Sequence, residues 1–354
     1  MALSALHYAR VNALVRGMVS RLLGPAEWQR LLAANDVPEV LRLLADSPYG
    51  EGMQAAESRD LLATGRALRQ SLVDAYDRLI RSLGGPRRNL VVLALRVHEL
   101  DNLKAILRAI AGRVPRQEVL PLLFPLGRHS RLPVDALLEV DELSQAVEVL
   151  AGFPYGRVLG FALERYAQER TLFPVEVALD LDYYRRLWAG VEALGDLDRA
   201  VAVRLVGTRY DVLNLDWLIR FRLLYRLSPQ EIFNYTLPHG YRLTDTVIRR
   251  AGAADDLAGI VAELPQPYRE ILRAVGGGPT AVEEAELRLY RHLTAVARSA
   301  LVGYPFQIGE VLAYLWLREA EVHDLEVVLE GTRTGRTADA KAALLWGHAA
   351  TGGR

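Results

Sequence analysis

The chain has 354 residues, 43 of them basic and 43 acidic, with 51% hydrophobic positions; that length buries a large core and suggests two or three domains. Zero formal net charge excludes a nucleic-acid binder that works through bulk electrostatics. The absence of cysteine excludes disulfides, thiolate nucleophiles and cysteine-based zinc sites.

In chain order, residues 1–23 predict a helix, with Leu6, Ala9, Ala13, Val15 and Val19 among its apolar positions and Gly24-Pro25 ending it. No basic region followed by a long apolar core marks this stretch as a secretory signal. Short helices follow over Trp28–Ala34 and Pro38–Ala45, the second tolerating proline in its first turn. Ser47-Pro48-Tyr49-Gly50 reads as a turn, and residues 57–83 as a long helix stopped by Gly84-Gly85-Pro86. A long amphipathic helix covers Leu90–Arg108, and prolines between Pro115 and Pro133 make a connection. Helices are then expected over Asp135–Leu150, Val158–Arg170, Val177–Leu194 and Leu197–Arg226. Ser228-Pro229-Gln230-Glu231 carries a helix-start pattern. The remainder predicts helices over Asp245–Arg250, Asp256–Leu264, Tyr268–Val275, Val282–Ala300 and Ile308–Glu330, and a weakly structured tail over 331–354. The most membrane-like stretch, Leu301–Leu317, is broken by Pro305 and carries Glu310, so no direct membrane span is expected. Strand alternation is missing throughout, and the fold class is all-α.

Three of these helices share a pattern. Arg96, Glu99 and Asn102 step three residues at a time along one side of the first; Thr208, Asp211 and Asn214 take the same places in the second, and Arg318, Glu321 and Asp324 in the third. The apolar places agree as well: Leu100, Val212, Val322; Leu103, Leu215, Leu325; Ile106, Leu218, Val328. The period is about 110 residues, outside the range of short solenoids. An apolar segment ending in Pro-Tyr precedes each helix, at Tyr49, Tyr155 and Tyr268. The reading is three similar helical units, over 1–115, 116–230 and 231–330. Polar residues kept at equivalent places point to a shared environment: a seam between or within units, the lining of a common axial space facing a partner, or a solvent face.

Chemistry-bearing motifs are incomplete. His98-Glu99 begins like the zinc-protease signature, but Asn102 stands where the second histidine belongs. Gly276-Gly277-Gly278 lacks the lysine of a nucleotide-binding loop. Asp180 with Asp182, and Asp255 with Asp256, lack the spacing that puts paired carboxylates on one helix face for magnesium. No Gly-x-Ser-x-Gly elbow occurs. Arg204, Arg209, Arg220, Arg222 and Arg226, interleaved with Trp217, Phe221 and Tyr225, read either as a surface for an acidic partner or as arginines paired locally along a helix. No catalytic residue, cofactor or metal is predicted.

The sequence resembles the C subunit of the archaeal and bacterial V/A-type ATPases, the relative of the d subunit of the eukaryotic V-ATPase, over roughly residues 5–330. The resemblance rests on Tyr8-Ala9-Arg10-Val11-Asn12-Ala13-Leu14-Val15-Arg16, on Leu41–Gly50, on His98–Arg108, and on Pro305–Tyr314 running into Arg318-Glu319. It implies a pseudo-threefold, funnel-like arrangement of the three units. It also implies a non-catalytic rotor subunit, peripheral on the cytoplasmic face of the cell membrane. Its partners are then the central-stalk subunits and the membrane proteolipid ring, with no nucleic acid, and it serves proton or sodium transport. The residues taken alone leave two other readings: a cytoplasmic helical-repeat scaffold unrelated to ATPases, and an all-α magnesium enzyme.

Overall fold

The computed structural model describes residues 2–50, 61–169 and 171–347. Among the described residues all regular structure is helical, and no strand occurs. The all-α class holds. Helices α1 (Ala2–Val19), α2 (Pro25–Ala33) and α3 (Val37–Ala45) open the chain, followed by α4 (Leu61–Ser82) and α5 (Gly85–Gly112). The start expected for α4 at residue 57 lies outside the described residues, as does 348–354 of the expected tail. Short α6 (Arg116–Val119) and α7 (Val134–Leu137) lead to α8 (Leu143–Val149), α9 (Gly156–Glu169), α10 (Phe173–Glu192) and α11 (Asp196–Leu223). The rest comprises α12 (Pro229–Asn234), α13 (Asp245–Ala253), α14 (Leu257–Glu263), α15 (Tyr268–Arg273), α16 (Ala281–Leu301), α17 (Gly309–Arg333) and α18 (Ala338–Ala342).

The chain packs as two compact units, one formed by residues 1–51 with 191–354, the other by 52–190. These bounds differ from the sequence division at 115, 230 and 330, for a reason that lies in the repeat itself and is described below. The first unit is built on α11 and α17. Both bury residues on every side, including Leu205, Val212 and Leu215 on α11 and Leu312, Leu315 and Leu325 on α17, as an interior helix must. The second unit is built on α5, with Leu90, Leu100, Leu103 and Ile106 fully buried.

Local chemistry sets the helix limits. Where the sequence predicts one helix over Asp135–Leu150, two form. Glu142 stands at the N-cap of α8 with extended backbone, and Gln145 Oε1 accepts from the N–H groups of Asp141 (3.1 Å) and Glu142 (3.2 Å), which breaks the run. At α12, the Ser228 hydroxyl accepts from Glu231 N–H while Glu231 accepts from Ser228 N–H at 2.9 Å, the reciprocal cap that the sequence pattern predicts.

The three long helices stop alike. A left-handed residue follows each: Arg113 (φ 54°), Arg226 (φ 53°) and Gly335 (φ 69°). The next N–H reaches back to the last helical turn, Val114 to Ala109 O (2.9 Å), Leu227 to Phe221 O (3.0 Å) and Arg336 to Gly331 O (2.8 Å), satisfying carbonyls that a helix end leaves open. After each stop comes a short helix, α6, α12 or α18. The 331–347 stretch, read from composition as a weak tail, is thus a third copy of this stop and short helix.

Candidate functional site

All but the first of the nine polar-line residues are buried; Arg96 is half-buried. What they hold is the chain's own backbone. In the third place of the pattern, Asn102 Nδ2 donates to Phe124 O (3.0 Å) and its Oδ1 accepts from Phe124 N–H (2.7 Å). Asn214 makes the same pair with Leu237, at 2.9 and 2.7 Å. Asp324, which has no donor, instead accepts from the N–H groups of Trp346 (2.7 Å) and Gly347 (2.8 Å). The clamped residue lies eleven places past the left-handed stop each time (Arg113 to Phe124, Arg226 to Leu237, Gly335 to Trp346). In two copies an aromatic ring on the long helix covers the clamped residue: His98 stacks on Phe124 at 4.1 Å, and His323 on Trp346 at 3.5 Å.

The middle place is a buried carboxylate with the Pro-Tyr tyrosine upon it. Tyr155 donates to Glu99 Oε2 (3.0 Å), Tyr268 to Asp211 Oδ2 (2.9 Å) and Tyr49 to Glu321 Oε1 (2.8 Å). Each carboxylate also takes backbone N–H: Arg131 on Glu99, Arg242 (2.7 Å) and Leu243 (3.1 Å) on Asp211, and Leu23 (2.7 Å) on Glu321. Buried carboxylates persist only when so satisfied.

The pairing is permuted relative to the sequence reading. Tyr155 follows the helix it binds by 56 residues and Tyr268 by 57, rather than preceding the next one. Tyr49 binds α17, 272 residues further on. A copy of the repeat therefore runs from a long helix forward to the next Pro-Tyr, and the third copy takes its second half from residues 23–49. That is why residues 1–51 pack with 191–354.

The first place of the pattern varies. Arg318 donates to Glu321 Oε1 at 2.7 Å and lies over the Tyr49 ring at 4.2 Å, and Arg96 reaches Glu99 at 3.3 Å. Thr208 bonds instead to the Arg204 carbonyl of its own helix (2.7 Å). Thr208 brings no cation to it, and Asp211 is left to neutral donors, backbone N–H groups and the Tyr268 hydroxyl. Burial pushes its carboxyl up to about 6, against the pull of the Leu243 and Arg242 N–H groups and the Tyr268 hydroxyl. Asp216, on the same helix, is also raised to about 6 by burial.

A folded pKa above the unfolded value means the native state binds the extra proton between pH 4 and 6, so stability falls as pH rises through that window and levels above it. The two-unit rise of Asp211 alone corresponds to about 3 kcal/mol. Carbon-detected carboxyl titration is expected to place the Asp211 midpoint near 6. A midpoint below 4.5 would contradict the burial argument.

The other sequence candidates have structural employment. His98 is buried, edge-on to Tyr76 at 6.2 Å. Asp180 pairs with Lys104 (2.8 Å), Asp182 with Arg186 (2.5 Å) and Asp255 with Arg222 (2.5 Å), while Asp256 caps Gly259 N–H (2.8 Å). Gly276 N–H donates to Glu284 (3.3 Å). Among the five clustered arginines, Arg209 pairs with Glu319 (2.9 Å), Arg220 with Asp216 (3.0 Å) and Glu286, and Arg222 with Asp255. No group of three or more His, Asp or Glu is placed to hold a metal, and no helix is long and apolar enough to cross a membrane, among the described residues.

Residues 11–342 match the family described as ATP synthase (C/AC39) subunit. The C subunit of the A-type ATP synthase of Methanocaldococcus jannaschii is 26% identical, over 94% of this chain and 84% of that protein. That of Pyrococcus abyssi is 24% identical over 91% and 85%, and that of Haloferax volcanii 25% identical over 95% and 96%. A match of that extent sets aside a scaffold unrelated to ATPases. It runs from α1 through the three clamped helices to the end of α18, and the chain belongs to the ATP synthase (C/AC39) subunit family.

Proposed function

We propose that this chain is a non-catalytic rotor subunit of a V/A-type rotary ATPase or ATP synthase, coupling the central stalk to the membrane proteolipid ring for proton or sodium transport. The observation that carries the reading is the family match along nearly the whole chain, to relatives named as the C subunit of A-type ATP synthases. On this reading the chain sits peripherally on the cytoplasmic face of the membrane. Its three clamped copies, each running from a long helix to the tyrosine that binds it, stand about a pseudo-threefold axis as a funnel.

The clamps support the reading physically. A part that passes torque needs elements that do not shear past one another. Each long helix here is tied to two distant segments by hydrogen bonds that are buried or partly buried, where they are stronger than at the surface. We assign the polar line Arg96, Glu99, Asn102, Thr208, Asp211, Asn214, Arg318, Glu321 and Asp324 to this stiffness.

The test is to leave the chain out of a reconstituted complex. ATP hydrolysis by the soluble head is expected to continue while ATP-driven ion transport into vesicles falls to background. Ion pumping at the full rate without the chain would overturn the coupling role.

A further inference from the structure

Helix α4 and the short turn Gly127–His129, both in the 52–190 unit, meet at one carboxylate. Asp77, on α4, is buried. Its Oδ2 pairs with Arg81 Nη2 at 2.5 Å, one turn further along the same helix. Its Oδ1 accepts from Arg128 Nη2, and from His129 Nε2 at 2.9 Å. Burial pushes the Asp77 carboxyl up, but the hydrogen bonds from Arg128 and His129, with the charges of Arg128 and Arg81, outweigh it and hold the group below its usual range. The carboxylate is therefore charged at neutral pH and fixes both guanidinium groups in one place.

Those groups have donors and charge to spare. The Arg81 side chain is 64% exposed and that of Arg128 63%. Two guanidinium groups carry about ten N–H donors, whereas one carboxylate offers about four lone-pair sites and His129 takes one of them. Two positive charges face one negative, before His129 is counted. The adjoining chain adds no acid: 78–98 hold Arg78, Arg81, Arg87, Arg88 and Arg96 without Asp or Glu, and 119–134 hold Arg128 and Arg131 without either. On α4 itself the next acid, Asp74, accepts from Gln70 Nε2 (2.9 Å). Nor does the repeat require the cluster. Asp77 and Arg81 stand 25 and 21 residues before Asn102; at the same distances before Asn214 stand Ala189 and Ala193, and before Asp324 stand Ser299 and Gly303.

We propose that Arg81 and Arg128, positioned by Asp77, bind a phosphate group, either free or on the headgroup of an anionic lipid. The edges of a guanidinium meet phosphate oxygens in pairs, which is why arginine recurs where phosphate is recognised. Side chains pinned beforehand by a buried carboxylate lose little entropy on binding. The oxygens and charge of a phosphate suit two guanidinium groups with surplus donors; a second carboxylate offers no more than Asp77 already supplies. This inference stands apart from the coupler reading, since it uses only the charges and contacts around Asp77.

Arg81→Gln with Arg128→Gln tests it. Arg128→Gln alone leaves Arg81 and His129 on Asp77, and serves if the double variant unfolds early. Arg10→Gln with Arg21→Gln, two exposed arginines of the other unit, removes the same net charge as a control. Each full-length chain is titrated calorimetrically with inorganic phosphate and sedimented with phosphatidylglycerol vesicles, at low ionic strength. The wild type is expected to bind at least one of these probes and the double variant about tenfold more weakly, with the single variant between them and the control at wild-type affinity. Saturable binding of inorganic phosphate identifies free phosphate as a ligand, and binding of vesicles alone identifies the headgroup. A wild-type chain that binds neither probe would overturn the site. So would undiminished binding in both Arg128 variants, or equal weakening in the control, which would mark bulk charge.

Discussion

Replacing Glu321 by alanine is expected to destabilise the unit built on α11 and α17 by about 3–5 kcal/mol, the penalty of leaving a buried charge without its partner. Arg318 is buried beside it and donates to Oε1 at 2.7 Å. The buried Leu23 N–H (2.7 Å) and Tyr49 hydroxyl (2.8 Å) lose their acceptor in the same substitution. Urea unfolding followed by circular dichroism reads the loss.

Two further variants separate the contributions. Tyr49→Phe removes one hydrogen bond and keeps the ring under Arg318, so about 1 kcal/mol is expected. Adding Arg318→Met to Glu321→Ala recovers part of the loss, because no uncompensated charge remains, giving a coupling energy above about 1 kcal/mol. Glu99→Ala is expected to do less harm than Glu321→Ala. Its arginine, Arg96, is half-buried and 3.3 Å away, and water takes over more readily there. Equal losses at Glu99 and Glu321, or a double variant no better than the single, would show that charge burial is not what the pair contributes.

The register of the long helices is legible in sequence, since Asn102, Asn214 and Asp324 recur with their apolar neighbours, and a one-residue slip would turn each by about 100°. The burial of that line is not legible. Arg, Glu, Asp and Asn are surface residues by composition, and their partners, Phe124, Leu237 and Trp346, lie 22 or 23 residues downstream, beyond the reach of helical periodicity. The permuted pairing escapes for the same reason. Spacing shows that Pro-Tyr and the long helices alternate, but not whether a tyrosine binds the helix before or after it.

The reading of 331–354 as a weak tail follows from its Gly, Ala and Thr content. The informative signal there is Leu345-Trp346, which stands to Asp324 as Leu123-Phe124 stands to Asn102. The break within 135–150 escapes because Glu142 is a less common cap than Ser, Thr, Asp or Asn.

Gly156→Ala is expected to destabilise the 52–190 unit by about 3 kcal/mol, the upper end for an overpacked site. Gly156 follows Tyr155, and a methyl there would overlap the Leu150 carbonyl oxygen and stand 2.7 Å from its carbon. Both atoms are backbone, so no rotamer relieves the clash, and the segment that carries Tyr155 to Glu99 has to shift. Gly50 meets the Ala45 carbonyl oxygen in the same way, and Gly50→Ala should weaken the other unit comparably. The copy that ends at Tyr268 supplies the control. Arg269 follows Tyr268 where the other two copies have glycine, and its connection from Leu264 to the tyrosine is one residue shorter than that from Leu150 to Tyr155. The Leu264 carbonyl there accepts from Arg269 Nε at 2.9 Å instead of facing the next residue's Cα. Arg269 is exposed, so Arg269→Ala should cost no more than about 1 kcal/mol. Chemical unfolding of the three variants would then rank Gly156→Ala and Gly50→Ala well above Arg269→Ala, and three equal values would refute the close approach of backbone to backbone at the two glycines.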